Sequence, residues 1–146
     1  MKRILPLILS VLLIFSCLTA CGEKGTQIAP IDAKDVQAVT ATTALHSSYM
    51  YVITDESAIK ELVGIYNSVR YESVPEGEAP DILMDTLYSL SFAKSFDNGV
   101  LGESITNIGI SPKGYVFMTD GVTYKLTSSF DEAKLKSILE KYNIAP

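Results

Sequence analysis

The chain has 146 residues, with twelve Lys and Arg against 17 Asp and Glu, one histidine and two cysteines. Without its first 20 residues, and hence without Lys2 and Arg3, ten basic residues remain against 17 acidic ones, a net charge near −7. This balance argues against nucleic acid as a partner and against a polybasic patch for anionic lipid. The single histidine excludes metal sites built from two or three histidines.

Residues 1–20 have the layout of an export signal. A basic head, Met1–Arg3, precedes the almost wholly apolar run Ile4–Phe15, and the small residues Thr19 and Ala20 follow. The apolar run is too short for a transmembrane helix, which needs about 20 apolar residues. We therefore predict that residues 1–20 are removed and take no part in the fold.

The motif "LTAC", residues 18–21, resembles the lipobox of bacterial prolipoproteins. The resemblance implies a lipid thioether on Cys21, cleavage just before it, and anchoring at the extracytoplasmic face of the cell membrane. Two or more acyl chains hold a protein on a bilayer stably. The competing register at Cys17 places bulky Phe15 where the motif needs a small residue. An ordinary cleaved secretion signal is the alternative. On the lipobox account the two cysteines are not a disulfide pair, because Cys17 is removed and Cys21 carries the lipid.

Residues 21–34 read as a flexible tether, because "GEKGTQIAPIDAK" has glycine, proline and scattered charge without an apolar period. Such a coil would hold the domain on the order of 20 Å from the bilayer. Residues 35–146 are predicted to form one domain. That domain contains no cysteine, so packing alone must stabilise it.

The domain begins with a predicted hairpin, 36–43 and 49–53, followed by a helix in "TDESAIKELVGIYNSVR", capped by Thr54 or Asp55. A second helix is predicted in "SSFDEAKLKSILEKY", where Ser129 and Glu132 match a capping box. Both segments have an apolar stripe at helical spacing. The stripe residues are Ile59, Leu62, Val63, Tyr66 and Val69 in the first helix, and Leu135, Ile138, Leu139 and Tyr142 in the second.

Between the helices the pattern predicts a four-strand meander, with strands at 86–96, 100–110, 114–119 and 122–127. "DNG" at 97–99 and "DG" at 120–121 indicate type I′ turns, and "SPKG" at 111–114 suits a type I turn. Alternation is lost between Ile105 and Ile108, which suggests a bulge. The predicted fold class is α+β, an antiparallel sheet of five to seven strands with two helices on one face. This order loosely resembles small α+β lipoproteins of Gram-positive bacteria, a likeness that implies no functional residues.

Two short motifs raise the possibility of catalysis. Ser57 and Lys60 match the S-x-x-K of penicillin-binding proteins and serine β-lactamases, but the companion motifs S-D-N and K-T-G are absent. A capped helix turn explains both residues. Ser91 and Lys94 repeat the spacing on a predicted strand, where positions three apart point to opposite faces. His46 is in a loop, and no G-x-S-x-G surrounds any serine.

The acidic stretch 71–85 could meet a cation or a basic partner, but it lacks the spacing of a calcium loop, so a solvated loop is the preferred interpretation. Its carboxylates are Glu72, Glu76, Glu78, Asp81 and Asp85. Four of the eight tyrosines lie on predicted core stripes, which leaves four as candidates for stacking on glycans: Tyr49, Tyr51, Tyr71 and Tyr115.

The function predicted from these observations is a non-enzymatic binding or sensing domain, without cofactor or metal, that is anchored by lipid on Cys21. Its expected partner is another envelope protein or the cell wall. The expected docking surface is the sheet face away from the helices, which carries Ser89, Ser91, Thr123 and Lys125. The alternative is a small cell-envelope hydrolase whose site matches no motif. A transporter's solute receptor fits poorly, since such receptors have two lobes and more than twice this length.

Overall fold

The computed structural model describes residues 24–43, 50–75, 77–78 and 88–142. The helices in this part of the chain are α1 (Glu56–Asn67) and α2 (Glu132–Lys141), and a short 3₁₀ helix spans Ala33–Asp35. The strands are β1 (Thr26–Gln27), β2 (Ala38–Thr43), β3 (Met50–Ile53), β4 (Arg70–Ser73), β5 (Tyr88–Ala93), β6 (Phe96–Asp97), β7 (Val100–Leu101), β8 (Ser104–Ser111), β9 (Tyr115–Met118) and β10 (Thr123–Leu126).

Eight of these strands form one antiparallel sheet in the order β1-β4-β10-β9-β8-β5-β2-β3, and β6 and β7 form a separate hairpin. The α+β class is therefore confirmed. The predicted meander is also confirmed, because β5, β8, β9 and β10 pair in succession. The predicted first hairpin is β2–β3, and its loop, with His46, lies outside the described residues.

The sheet has two distinct ends. The near end, as we name it, holds the turn 111–114, the start of β4 and the connector 127–131 that leads into α2. The far end holds the β6–β7 hairpin and the turn 118–122 between β9 and β10. Helix α1 begins at the far end and α2 begins at the near end. Accordingly, the Tyr142 hydroxyl at the end of α2 donates to Asp55 at the start of α1.

The sheet is larger than the predicted five to seven strands because two short polar strands were missed. Strand β4 directly follows α1 and reads "RYES", without the apolar alternation that indicates a strand. It pairs with β10 on one side and with β1 on the other. Strand β1 has two residues and falls within the segment predicted to be a tether.

The predicted tether, 21–34, is wrong for its described residues. Thr26 and Gln27 pair with β4, and Ile28 is buried in the core at 6% exposure. The Asn67 side chain then holds the backbone of Ile31 by two hydrogen bonds, accepting from its N–H and donating to its carbonyl oxygen. The segment lacks the alternation of apolar and polar residues that indicates a packed strand, because it attaches to the domain mainly through its backbone.

The helix caps were predicted with mixed success. Asp55 caps α1, because its carboxylate accepts a hydrogen bond from the Ala58 N–H at 2.9 Å. The capping box predicted at Ser129 is wrong: Asp131 immediately precedes α2 and accepts from the Lys134 N–H at 2.9 Å. Ser129 lies two residues too early to reach the first turn of the helix.

Of the two predicted type I′ turns, one is confirmed and the other is wrong. At 97–99 both Asn98 and Gly99 have positive φ, as a type I′ turn requires. At 118–122 only Gly121 does among these residues, and its N–H donates to the Met118 carbonyl, so this turn is a type I turn with a glycine bulge rather than type I′. The loss of alternation in β8 is a register shift, in which Phe92 faces Thr106 and Ala93 faces Ser104.

Both helices pack on one face of the sheet, as predicted. Leu62, Leu90 and Leu135 are fully buried there, and Tyr66 of α1 meets Phe92 of β5 edge to face, with ring centroids 5.2 Å apart. The segment 28–36 lies in the same layer, since Ile28 and Val36 join this core.

The opposite face is less exposed than predicted. Ser89, Ser91 and Thr123 are half-buried, and Thr40 on the same face is only 7% exposed. Of the four residues named for docking, Lys125 alone is exposed, and its ammonium lies 3.1 Å from Glu72. These positions are thus less open than expected, and docking at this face stays a prediction.

Candidate functional site: a basic cleft at the near end

Several residues singled out from the sequence lie outside the described residues. These are Cys17, Cys21, His46, Tyr49, Glu76, Asp81 and Asp85. Ser57 and Lys60 lie at exposed positions of α1, while the neighbouring Ala58 and Ile59 enter the core. Lys94 lies beyond the end of β5, where it pairs with Glu103 at 2.7 Å, and Ser91 is half-buried within the strand.

The tyrosines are mostly structural. Tyr66 and Tyr88 are buried, and five others pack partly against the core or lie half-buried. Tyr71 and Tyr124 contact each other, with ring centroids 4.8 Å apart. Three of the four candidates for glycan stacking are therefore half-buried: Tyr51, Tyr71 and Tyr115.

A cleft of about 470 Å³ lies at the near end, between the end of α1, the start of β4 and the connector into α2. We call it the basic cleft because three cationic side chains line it: Lys24, Arg70 and Lys134. Hydroxyl-bearing residues line it as well: Ser68, Thr127, Ser128 and Ser129. Asp131 is the one acidic residue among its described lining residues.

Lys24 is held at the cleft by an unusual backbone. Gly25 has φ +95°, a backbone conformation that residues other than glycine rarely adopt. A Cβ at this position would stand 2.9 Å from the Tyr71 carbonyl oxygen and would overlap the Thr127 hydroxyl. The same hydroxyl donates to the Lys24 carbonyl oxygen at 2.7 Å. Glycine therefore allows the chain to press against the connector and to place a lysine there.

Arg70 enters the cleft from the first position of β4. Its backbone N–H donates to the Ser128 hydroxyl at 3.0 Å, and its carbonyl oxygen accepts from the Thr127 N–H at 2.8 Å. These two bonds continue the β4–β10 pairing into the connector. They attach the segment "TSS", 127–129, to the backbone of Arg70.

Lys134 lies in the first turn of α2, where the helix dipole favours acidic residues and disfavours basic ones. Its ammonium is 3.5 Å from Glu61 of α1, and both side chains are about half exposed. Such a pair contributes little to stability in water. The position of Lys134 is thus not explained by helix formation or by a strong ion pair.

Helix α2 is itself held at this end by a buried tyrosine. The Tyr88 hydroxyl donates to Glu132 at 2.8 Å. Burial, and then this carboxylate, raise the pKa of Tyr88, while Lys136 first and Tyr88 second lower the pKa of Glu132. The tyrosine therefore stays neutral and donates across the physiological range. It fixes the start of α2, and with it Lys134, relative to the sheet.

The arrangement is suited to binding an anion. Its cationic and hydroxyl-bearing side chains can hydrogen-bond a phosphate or carboxylate group, with Asp131 in the lining and Glu61 beside Lys134 as the opposing carboxylates. The acidic composition had predicted no such patch, because Lys24, Arg70 and Lys134 lie far apart along the chain. Two signals in the sequence pointed to it: a lysine in the first turn of a helix, and a glycine beside a lysine before β1.

Among the described residues, no group of three or more His, Cys, Asp or Glu side chains could hold a metal ion. No helix in that part of the chain is long and apolar enough to cross a membrane. In comparisons with known proteins, no family model, curated protein or solved structure matches this chain.

Proposed function

We propose that this protein is a lipoprotein of the extracytoplasmic membrane face, anchored through Cys21, whose domain binds or senses a partner without catalysis. The proposal starts from the lipobox "LTAC" behind a basic and apolar export signal. A lipid of two or more chains supplies the membrane attachment that the short apolar run cannot supply as a spanning helix.

The lipobox carries this proposal, and the short distance along the chain from Cys21 to the folded domain supports an orientation for the anchored domain. Lys24 is already fastened to Thr127, and three residues of chain reach about 10 Å at full extension. A lipid on Cys21 would therefore hold the near end of the domain at the bilayer. The far end would be presented to the envelope, where a protein or wall partner could reach it.

The anchor is tested by substituting each cysteine in cells. Cys21→Ser is expected to abolish incorporation of a palmitate analogue and retention of the processed protein in the membrane fraction. Cys17→Ser is the matched control and should leave both unchanged, since Cys17 lies within the removed segment. Labelling that survives Cys21→Ser, or that is lost with Cys17→Ser, would overturn the lipobox assignment.

The binding role is tested by crosslinking from the far end. Val100, on the β6–β7 hairpin, is 66% exposed and can carry a photoreactive side chain without loss of core packing. We expect this position to capture a specific envelope protein or wall fragment. A matched probe at exposed Ser129, at the near end, should instead capture lipid. Equal capture of the same partner from both ends would contradict the orientation.

A further inference from the structure

We infer that the basic cleft binds the phosphate group of an anionic phospholipid headgroup and so orients the anchored domain on the bilayer. This inference rests on the proposed lipid anchor for the source of the ligand, but the cleft and its charges are features of the domain itself. The site combines the Lys24, Arg70 and Lys134 side chains with the hydroxyls of the 127–129 segment.

The charge of the cleft differs from that of the rest of the domain. With residues 1–20 removed, the chain carries ten basic against 17 acidic residues, so an anionic surface repels the body as a whole. Three of those ten basic residues line this one cleft, against Asp131 in its described lining and Glu61 beside Lys134. The Asp131 carboxylate already accepts the Lys134 N–H as the cap of α2, which directs it toward the helix. The cleft is thus a place where a phosphate is attracted to an otherwise acidic protein.

Two local features of the backbone bring the lysines to the cleft. Lys24 is brought to the cleft by a left-handed glycine and by the bond from the Thr127 hydroxyl. Lys134 occupies a helix position that the dipole disfavours. Together these features place two cationic side chains at one cleft, where a single phosphate could contact both.

The position of the cleft along the chain favours a lipid headgroup as the source of the phosphate. Lys24 is three positions after Cys21 in the chain, so the cleft lies within about 10 Å of the lipid-bearing residue. The headgroup regions together add about 10–15 Å to the thickness of the hydrocarbon core. A cleft so close to the anchor lies at the level of the headgroups, where phosphate is far more concentrated than in solution.

The test uses residues 21–146 with Cys21→Ser, a chain that contains every described residue but carries no lipid. Binding is measured by flotation with vesicles of phosphatidylcholine alone and with vesicles that also contain phosphatidylglycerol. Lys24→Gln and Lys134→Gln are each expected to weaken binding to the second vesicles about fivefold. Lys60→Gln is the control: it removes the same charge from an exposed position of α1 outside the cleft, and binding should be unchanged.

Three results would overturn the inference. Equal weakening by all three substitutions would show general attraction between charges rather than a site. Binding of inorganic phosphate without binding of phosphatidylglycerol vesicles, measured by titration of the same chain, would assign the site to a free anion. If the chain bound neither inorganic phosphate nor phosphatidylglycerol vesicles, the cleft would not be a phosphate site. Arg70 is half-buried and is left unchanged, so that loss of folding does not obscure the outcome.

Failure of this inference and failure of the anchor are distinguishable. The vesicle experiment contains no lipid anchor, whereas labelling at Cys21 in cells does not depend on the cleft. Labelling at Cys21 without binding to phosphatidylglycerol vesicles would support the anchor and contradict the headgroup site. Binding to those vesicles through Lys24 and Lys134 without labelling at Cys21 would support the headgroup site and contradict the anchor.

Discussion

Gly25 is the residue on which the attachment of the N-terminal segment depends. Its φ of +95° and its contacts with Thr127 and Tyr71 leave no space for a Cβ. We expect Gly25→Ala to destabilise the domain by roughly 3 kcal/mol, because left-handed strain of about 1–2 kcal/mol adds to the overlap. Urea unfolding of residues 21–146 measures the difference.

The matched control for this substitution is Gly99→Ala. Gly99 has φ +80° but no heavy atom within 4 Å of the ideal Cβ position, so only the backbone strain is introduced. Its cost should be about 1–2 kcal/mol. Equal costs for the two substitutions would mean that Gly25 does not press against the connector, and the placement of Lys24 would lose its support.

At the scale of elements, the segment 24–34 stabilises the domain although it was predicted to be a tether. It supplies β1, the buried Ile28 and the backbone that Asn67 holds. A fragment that begins at Asp35 should therefore unfold about 5–15 °C below one that begins at Gly22, since burying Ile28 alone is worth about 1.5–3 kcal/mol. Coincident thermal midpoints would restore the tether interpretation.

The carboxylates at the starts of the two helices determine how stability should depend on pH. The Ala58 N–H, and then the Tyr142 hydroxyl, lower the pKa of Asp55 below its usual 3.8, and Glu132 is lowered from 4.5. Carboxyls with a lowered folded pKa stabilise the protein above their unfolded pKa. That stabilisation is lost as the pH falls through the folded pKa. We therefore expect the thermal midpoint to fall as the pH drops below 4.5.

Asp55→Asn tests the contribution of the charge, because asparagine remains a good helix cap. The variant should be less stable than the wild type near neutral pH, and the difference should shrink in acid, where Asp55 becomes neutral as well. Thermal unfolding across this pH range measures it. A difference that is constant with pH would show that the ionised carboxylate adds nothing to the cap.

At the scale of the whole molecule, the sequence predicted the elements that have strong apolar periodicity. Both helices, the β2–β3 hairpin and the β5–β8–β9–β10 meander follow from such patterns. Strands β1 and β4 were missed because they are short and polar, and backbone pairing holds them. The basic cleft was missed for a related reason: its three cations come from different elements, and only the folded chain brings them together.

The central claim is that a lipid on Cys21 holds the near end of the domain against the bilayer, and the depth of attached spin labels tests it most directly. The thioether would block the Cys21 thiol, so Ser129→Cys and Asn98→Cys can each be labelled alone in the lipidated protein. Ser129 lies in the connector at the near end and Asn98 in the hairpin at the far end, and both are exposed. The eight residues of β8, which runs between these ends, span about 26 Å. The account predicts that the label at 129 lies among the headgroups and the label at 98 on the order of 20 Å farther out. Equal depths, or a label at 98 that is closer to the bilayer, would contradict it.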